Sequence, residues 1–93
     1  MNRHERLARE YWQTYRPTAL AQLGSRQEQE AFFYALGLRV TQLIGQRADE
    51  MLLQVPMGER ARARAAVKAQ ATELVYDEEI YLPKEPGTEQ REM

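Results

Sequence analysis

The amino-acid sequence predicts an all-α protein: a small helical bundle built on a long antiparallel helical hairpin, with an N-terminal helix broken at Arg16-Pro17. Three observations predict it. Phe33, Leu36, Val40, Leu43, Ile44, Met51 and Val55 recur mostly three and four residues apart, which is the spacing of one helical face. Breaks at Pro17, Gly24, Pro56 to Gly58 and Pro83 separate segments rich in helix-forming residues. No stretch alternates apolar and polar residues as a half-buried strand does.

The first helix is read over residues 3–15, where Glu5 and Arg9 stand at the favourable i, i+4 spacing and Leu7, Ala8, Tyr11, Trp12 and Tyr15 make the apolar stripe. Pro17 disfavours helix at Arg16 but suits the first position of a new helix, so PTALAQL becomes a short second one. Gly24 fits a left-handed stop, and Ser25 with Glu28 forms a capping box that starts the next helix at once. That third helix runs from 26 to 54, about 40 Å at 1.5 Å per residue. Gly37 and Gly45 inside it cost up to ~1 kcal/mol each relative to Ala, which marks close packing or a slight bend.

VPMG is the hairpin turn, and the last helix is expected over 59–82, closed by Pro83. Its inner face is rich in Ala, which contributes little buried area. Phe32, Phe33 and Tyr34 in succession exceed what one stripe hides, so a homodimer would bury the surplus. Residues 1–82 are therefore read as a single helical domain and 83–93 as a flexible polar tail.

A chain of 93 residues buries only about 60 to 65% of its unfolded surface, so a deep catalytic cleft is not expected. The lack of cysteine removes disulfides, thiolate metal sites and thiol nucleophiles. No apolar run approaches the ~20 residues of a membrane span, and the charged start does not resemble a signal peptide, so a cytoplasmic protein is expected. With 13 Lys and Arg against 14 Asp and Glu, a net charge of -1 argues against purely electrostatic nucleic-acid binding.

Local clusters remain to be weighed. His4 is the only histidine and has no Ser, Asp or second His at catalytic or metal-binding spacing, so it reads as a solvated terminal residue. Glu73, Asp77, Glu78 and Glu79 gather near the end of the last helix, where an acidic exposed face with one inward carboxylate is favoured over a metal site. Arg60, Arg64 and Lys68 stand at i, i+4 and i+8 and form a basic stripe suited to phosphates or to an acidic protein surface. Trp12 and Tyr15 offer aromatic anchors for a partner, although a lone Trp in a small bundle more often belongs to the core. Arg16 sits at the break, where it would reach Glu73 or Glu78 on the last helix.

These residues also carry a family resemblance. Tyr11, Arg16, Pro17 and Leu23, together with Glu73-Leu74-Val75, Glu78 and Ile80-Tyr81, resemble the terminal patterns of the small TnpV proteins encoded on bacterial transposons and other mobile elements. The match spans most of residues 11–82; it departs from the pattern in its Ala-rich middle and at Glu79, where an aliphatic residue is usual. The resemblance implies a bacterial, phage or plasmid origin, and it makes Arg16 with Glu73 and Glu78 a polar lock between the first segment and the last helix. It assigns no activity.

The function expected from all of this is non-enzymatic: an accessory protein that binds a protein or nucleoprotein complex, as an adaptor or as an inhibitor of a host defence system such as CRISPR. No catalytic residue, cofactor or metal is expected. The alternative is a DNA- or RNA-binding accessory protein that uses the basic stripe with Arg3, Arg6 and Arg9.

Overall fold

The computed structural model describes residues 1–93 and is all-helical: α1 (Arg3–Tyr15), α2 (Pro17–Gln22), α3 (Arg26–Leu52), a 3-10 turn (Met57–Glu59) and α4 (Arg60–Glu79). The side chain of Asn2 caps α1 by accepting from the backbone N–H of Glu5 at 2.7 Å. Pro17 occupies the first turn of α2, and the capping box of Ser25 and Glu28 opens α3. Gly24 at φ +112° joins the two helices, and a Cβ there would also meet the Glu28 carboxylate within 2.9 Å. Two separate constraints thus select glycine at this turn.

α3 and α4 form the hairpin, and α1 runs back along α3, with Glu5 beside Gly37 and Arg9 over the Phe33 ring. The core sits where these helices meet: Ala8, Phe33, Val40, Ala71, Val75 and Ile80 are almost fully enclosed. α1 is far shorter than α3, so the bundle is three layers thick at one end and only two at the other. The molecule accordingly measures 49 × 29 × 16 Å, and its radius of gyration of 15.8 Å exceeds the ~12 Å of a compact chain this size.

α4 ends at Glu79, three residues short of the expected Leu82. The backbone N–H groups of Ile80 and Tyr81 both donate to the Tyr76 carbonyl, and this tightened end turns Ile80 fully into the core. Burying Ile80 outweighs continuing the helix, and Pro83 already disfavours helix at Leu82.

Residues 83–91 are not the mobile tail that their composition suggested. They lie across the joint between α1 and α2 as a strap, for a reason that the joint itself supplies. A helix break leaves carbonyls at one end and N–H groups at the other without partners. Arg16 offers no acceptor to cap α2 and Pro17 has no N–H, so Thr18 and Ala19 need an outside acceptor; Glu85 supplies it at 3.0 and 2.8 Å. The Tyr15 carbonyl accepts from the Glu85 backbone N–H at 2.8 Å and from the Thr88 hydroxyl at 3.1 Å, and the Thr14 carbonyl accepts from Arg91. Thr88 is buried as a result.

Candidate functional site

Of the residues singled out from the sequence, Trp12, Tyr15 and Arg16 belong to the strapped joint. Trp12 is buried, its ring 5.2 Å from Phe32 and 5.6 Å from Phe33, and its indole N–H has no acceptor. Tyr15 is buried too, and its hydroxyl donates to the Arg91 carbonyl at 2.6 Å. Neither offers a free surface to a partner. Their role is to hold the joint.

The lock between Arg16 and the carboxylates of α4 does not form. The Arg16 guanidinium stacks 4.8 Å from the Trp12 ring and donates to the Pro83 carbonyl at 2.7 Å. Glu78 instead pairs with Arg47 at 3.0 Å, and Glu79 with Arg39 at 3.2 Å, while Glu73 is exposed and makes no ion pair. Arg16 does reach the last segment of the chain, but beyond α4. The strap brings a carbonyl nearer than any α4 carboxylate, and the two glutamates nearest the end of α4 are taken by arginines of α3. The acidic cluster is thereby dispersed, and no group of three or more carboxylate or imidazole side chains is arranged to hold a metal ion.

Where the first helix stops covering the hairpin, the groove between α3 and α4 stays open. Arg3 and His4 from α1, Thr41, Ile44 and Gly45 from α3, and Lys68 and Thr72 from α4 line a cleft of about 480 Å³. A second hollow of about 250 Å³ shares Ile44, Gly45 and Lys68 and continues the groove past Ala48 and Leu52, with Arg64 and Asp49 on its walls. A Cβ on Gly45 would meet nothing within 4 Å, so this glycine marks open space rather than the close packing seen at Gly37. Gly37 fits the expectation of close approach: a Cβ there would lie 2.9 Å from Asn2 and Glu5.

The basic stripe is thus split. Arg64 and Lys68 line the groove, whereas Arg60 turns back and donates to the Val55 carbonyl at 2.9 Å, tying the hairpin turn. His4 is not the solvated terminal residue its position suggested. Its Nδ1 lies 2.7 Å from the Tyr76 hydroxyl, and the two rings meet edge to face at 5.6 Å. Burial, Arg3 and Lys68, in that order, hold the His4 pKa below the usual imidazole value. The sequence did not point to Arg3, His4, Thr41 and Thr72 as one site, because they come from three helices. The i, i+4 repeat of Arg64 and Lys68, together with a glycine inside α3, was the only signal of a groove.

No helix of the structure is long and apolar enough to cross a membrane. Comparison with protein-family models, with curated proteins and with solved structures finds no match.

Proposed function

We propose that this chain is a non-enzymatic accessory protein of a mobile element that acts by binding another macromolecule, a protein or nucleoprotein complex, through the part of the hairpin groove that α1 leaves uncovered. The observation that carries the reading is the overhang: α1 fills one half of the groove and stops, and the other half keeps an apolar floor at Ile44, Ala48 and Leu52 walled by Arg64, Lys68 and Asp49. A third helix or strand of a partner would complete there the layer that α1 builds above. The mobile-element setting rests on the resemblance at Tyr11, Arg16, Pro17 and the α4 segment. An adaptor or an inhibitor of host defence fits a small chain whose polar clusters are spent on structure.

The test is an affinity capture from bacterial extract, with and without nuclease, using the wild-type chain and Gly45→Trp as baits. A Cβ at Gly45 meets nothing within 4 Å, so the substitution is made where the helix faces open space. A partner held by the wild type and lost by a Gly45→Trp bait of unchanged helicity supports the groove. Equal capture by both baits refutes it.

A further inference from the structure

We propose that the chain forms a reversible two-fold dimer through the face of the α3 and α4 hairpin that lies opposite α1, a face that a second copy of the chain covers. On α3, Phe32, Leu36, Arg39, Leu43 and Arg47 follow one another at intervals of three and four and form one stripe, and on α4 Leu74 and Glu78 stand one turn apart. The ion pair of Arg47 with Glu78 joins the two helices there, so these residues border a single face. Other residues mark the α1 side of the hairpin: Thr41, Gly45, Lys68 and Thr72 line the cleft with Arg3 and His4. No helix packs along the opposite face, and Trp12 of α1 reaches only its Phe32 end. Phe32 is 36% and Leu74 40% exposed on it, and Leu36 and Leu43 are half-buried. Of the aromatic surplus that suggested a dimer, only Phe32 lies here, since Phe33 is core and Tyr34 is exposed elsewhere on α3.

Charge identifies the occupant. From Ala31 to Ala48 the only charged residues of α3 are Arg39 and Arg47, whereas from Ala69 to Glu79 those of α4 are Glu73, Asp77, Glu78 and Glu79. A basic edge thus runs beside an acidic one. A two-fold axis along the hairpin sets α3 of one copy against α4 of the other, antiparallel as within each copy, and leaves every residue at its own height. Arg39, 3.2 Å from its own Glu79, then meets the Glu79 of the second copy at the same level, and Arg47 meets the second Glu78. The side chains of Arg39 and Glu78 are 64% and 50% exposed, so both have room for another partner. An unlike protein would have to reproduce this pattern of edges; a second copy has it by symmetry. From Phe32 to Arg47 the face is about 22 Å long, and two helices side by side make it about 20 Å wide. The pair therefore covers about 900 Å² in projection, close to the ~1,000 Å² at which specific interfaces begin, which makes the dimer a weak and exchanging one. Both open grooves face outward in it, so one dimer offers two binding sites and gains avidity for a repetitive target.

The dimer does not rest on the groove reading, and its test uses the chain alone. Sedimentation equilibrium of the full chain is recorded from about 1 μM to about 1 mM, the span of weak association. The mass should rise with concentration from 10.9 kDa toward twice that value, and less steeply at high salt. Leu74→Glu and Arg39→Glu each place like charges in the contact and should weaken association by about tenfold or more, with helicity by circular dichroism unchanged. Adding Glu79→Arg to Arg39→Glu restores opposite charges across the axis and should recover the dimer. Leu38→Glu, at an exposed position of α3 outside the stripe, should dimerise like the wild type. A monomer over the whole range leaves the face to an unlike partner and overturns the proposal. So does undiminished association of Leu74→Glu and Arg39→Glu, failure of the charge-swapped variant to recover, or loss of the dimer in Leu38→Glu.

Discussion

At the end of the hairpin where α3 begins and α4 finishes, Trp12, Phe33, Tyr11 and Ile80 fill the space between four segments of chain, whereas at the opposite end Leu53 and Met57 stand in solvent. Both ends use the same two helices. What differs is whether a third layer covers them. α4 buries only Val67, Ala71 and Val75, so the pair alone buries little area, and the packed end adds the aromatic side chains of α1 and Ile80 to Phe33. The overhanging end is held in place by its continuity with that core, which Ile44 and Ala48 on the groove floor extend, while the groove walls above them stay open.

The sharpest way to break this contrast is to remove one large side chain from each end. Phe33→Ala is expected to cost about 3–5 kcal/mol, because the ring is fully enclosed by α1 and the strapped joint. Leu53→Ala should stay within about 0.5 kcal/mol. Urea unfolding of both variants measures the difference, and equal losses would mean that the overhang has a core of its own.

A gentler comparison adds a methyl group instead. Gly37→Ala forces a Cβ to within 2.9 Å of Asn2 and Glu5, and overpacking of about 1–3 kcal/mol should exceed the gain of up to ~1 kcal/mol in helix propensity. Gly45→Ala has only the gain, since its surroundings are empty, and should raise the thermal midpoint. Two mid-helix glycines eight positions apart in one helix are thus expected to respond with opposite signs.

The smallest effect concerns acid. The backbone N–H of Ala19, then that of Thr18, with the Arg16 charge adding to both, holds the Glu85 carboxyl below the usual carboxylate value. A folded-state pKa lowered in this way contributes stability above the ordinary carboxylate range, and the contribution is lost as pH falls through the lowered value. Hydrogen exchange at the Thr18 and Ala19 amides should therefore accelerate on acidification in the wild type. In Glu85→Gln it should be fast throughout, and the amides of the overhanging groove should be indifferent to both changes.

Much of the fold was legible because its signals are local. The boundaries of α1, Pro17 at the start of α2, the capping box at Ser25 and the long run of α3 each follow from residues within a few positions of one another. What escaped was long-range. Arg16 was matched to Glu73 or Glu78 because opposite charges are the visible signal, yet it found a carbonyl, which every residue carries and no sequence pattern marks. A clue to the strap did exist: a helix opening on Arg-Pro has no cap of its own, so an acceptor had to come from elsewhere in the chain. The cleft was legible only on its α4 side, since periodicity places Arg64 and Lys68 on one face but is silent on the approach of Arg3 and His4.

The strap also sets an order of events. Arg16 and Pro83 are 67 residues apart, as are Thr18 and Glu85, so their contacts close most of the chain into a loop. Such contacts form late, after the local hairpin. During synthesis α1 and α2 leave the ribosome first and wait, their joint uncapped, until α3, α4 and the strap have followed. Tyr15, which the strap covers with the Arg91 carbonyl and the Lys84 ammonium, is sealed away only when the strap closes, so any contact it makes with another protein belongs to the nascent chain and ends with folding.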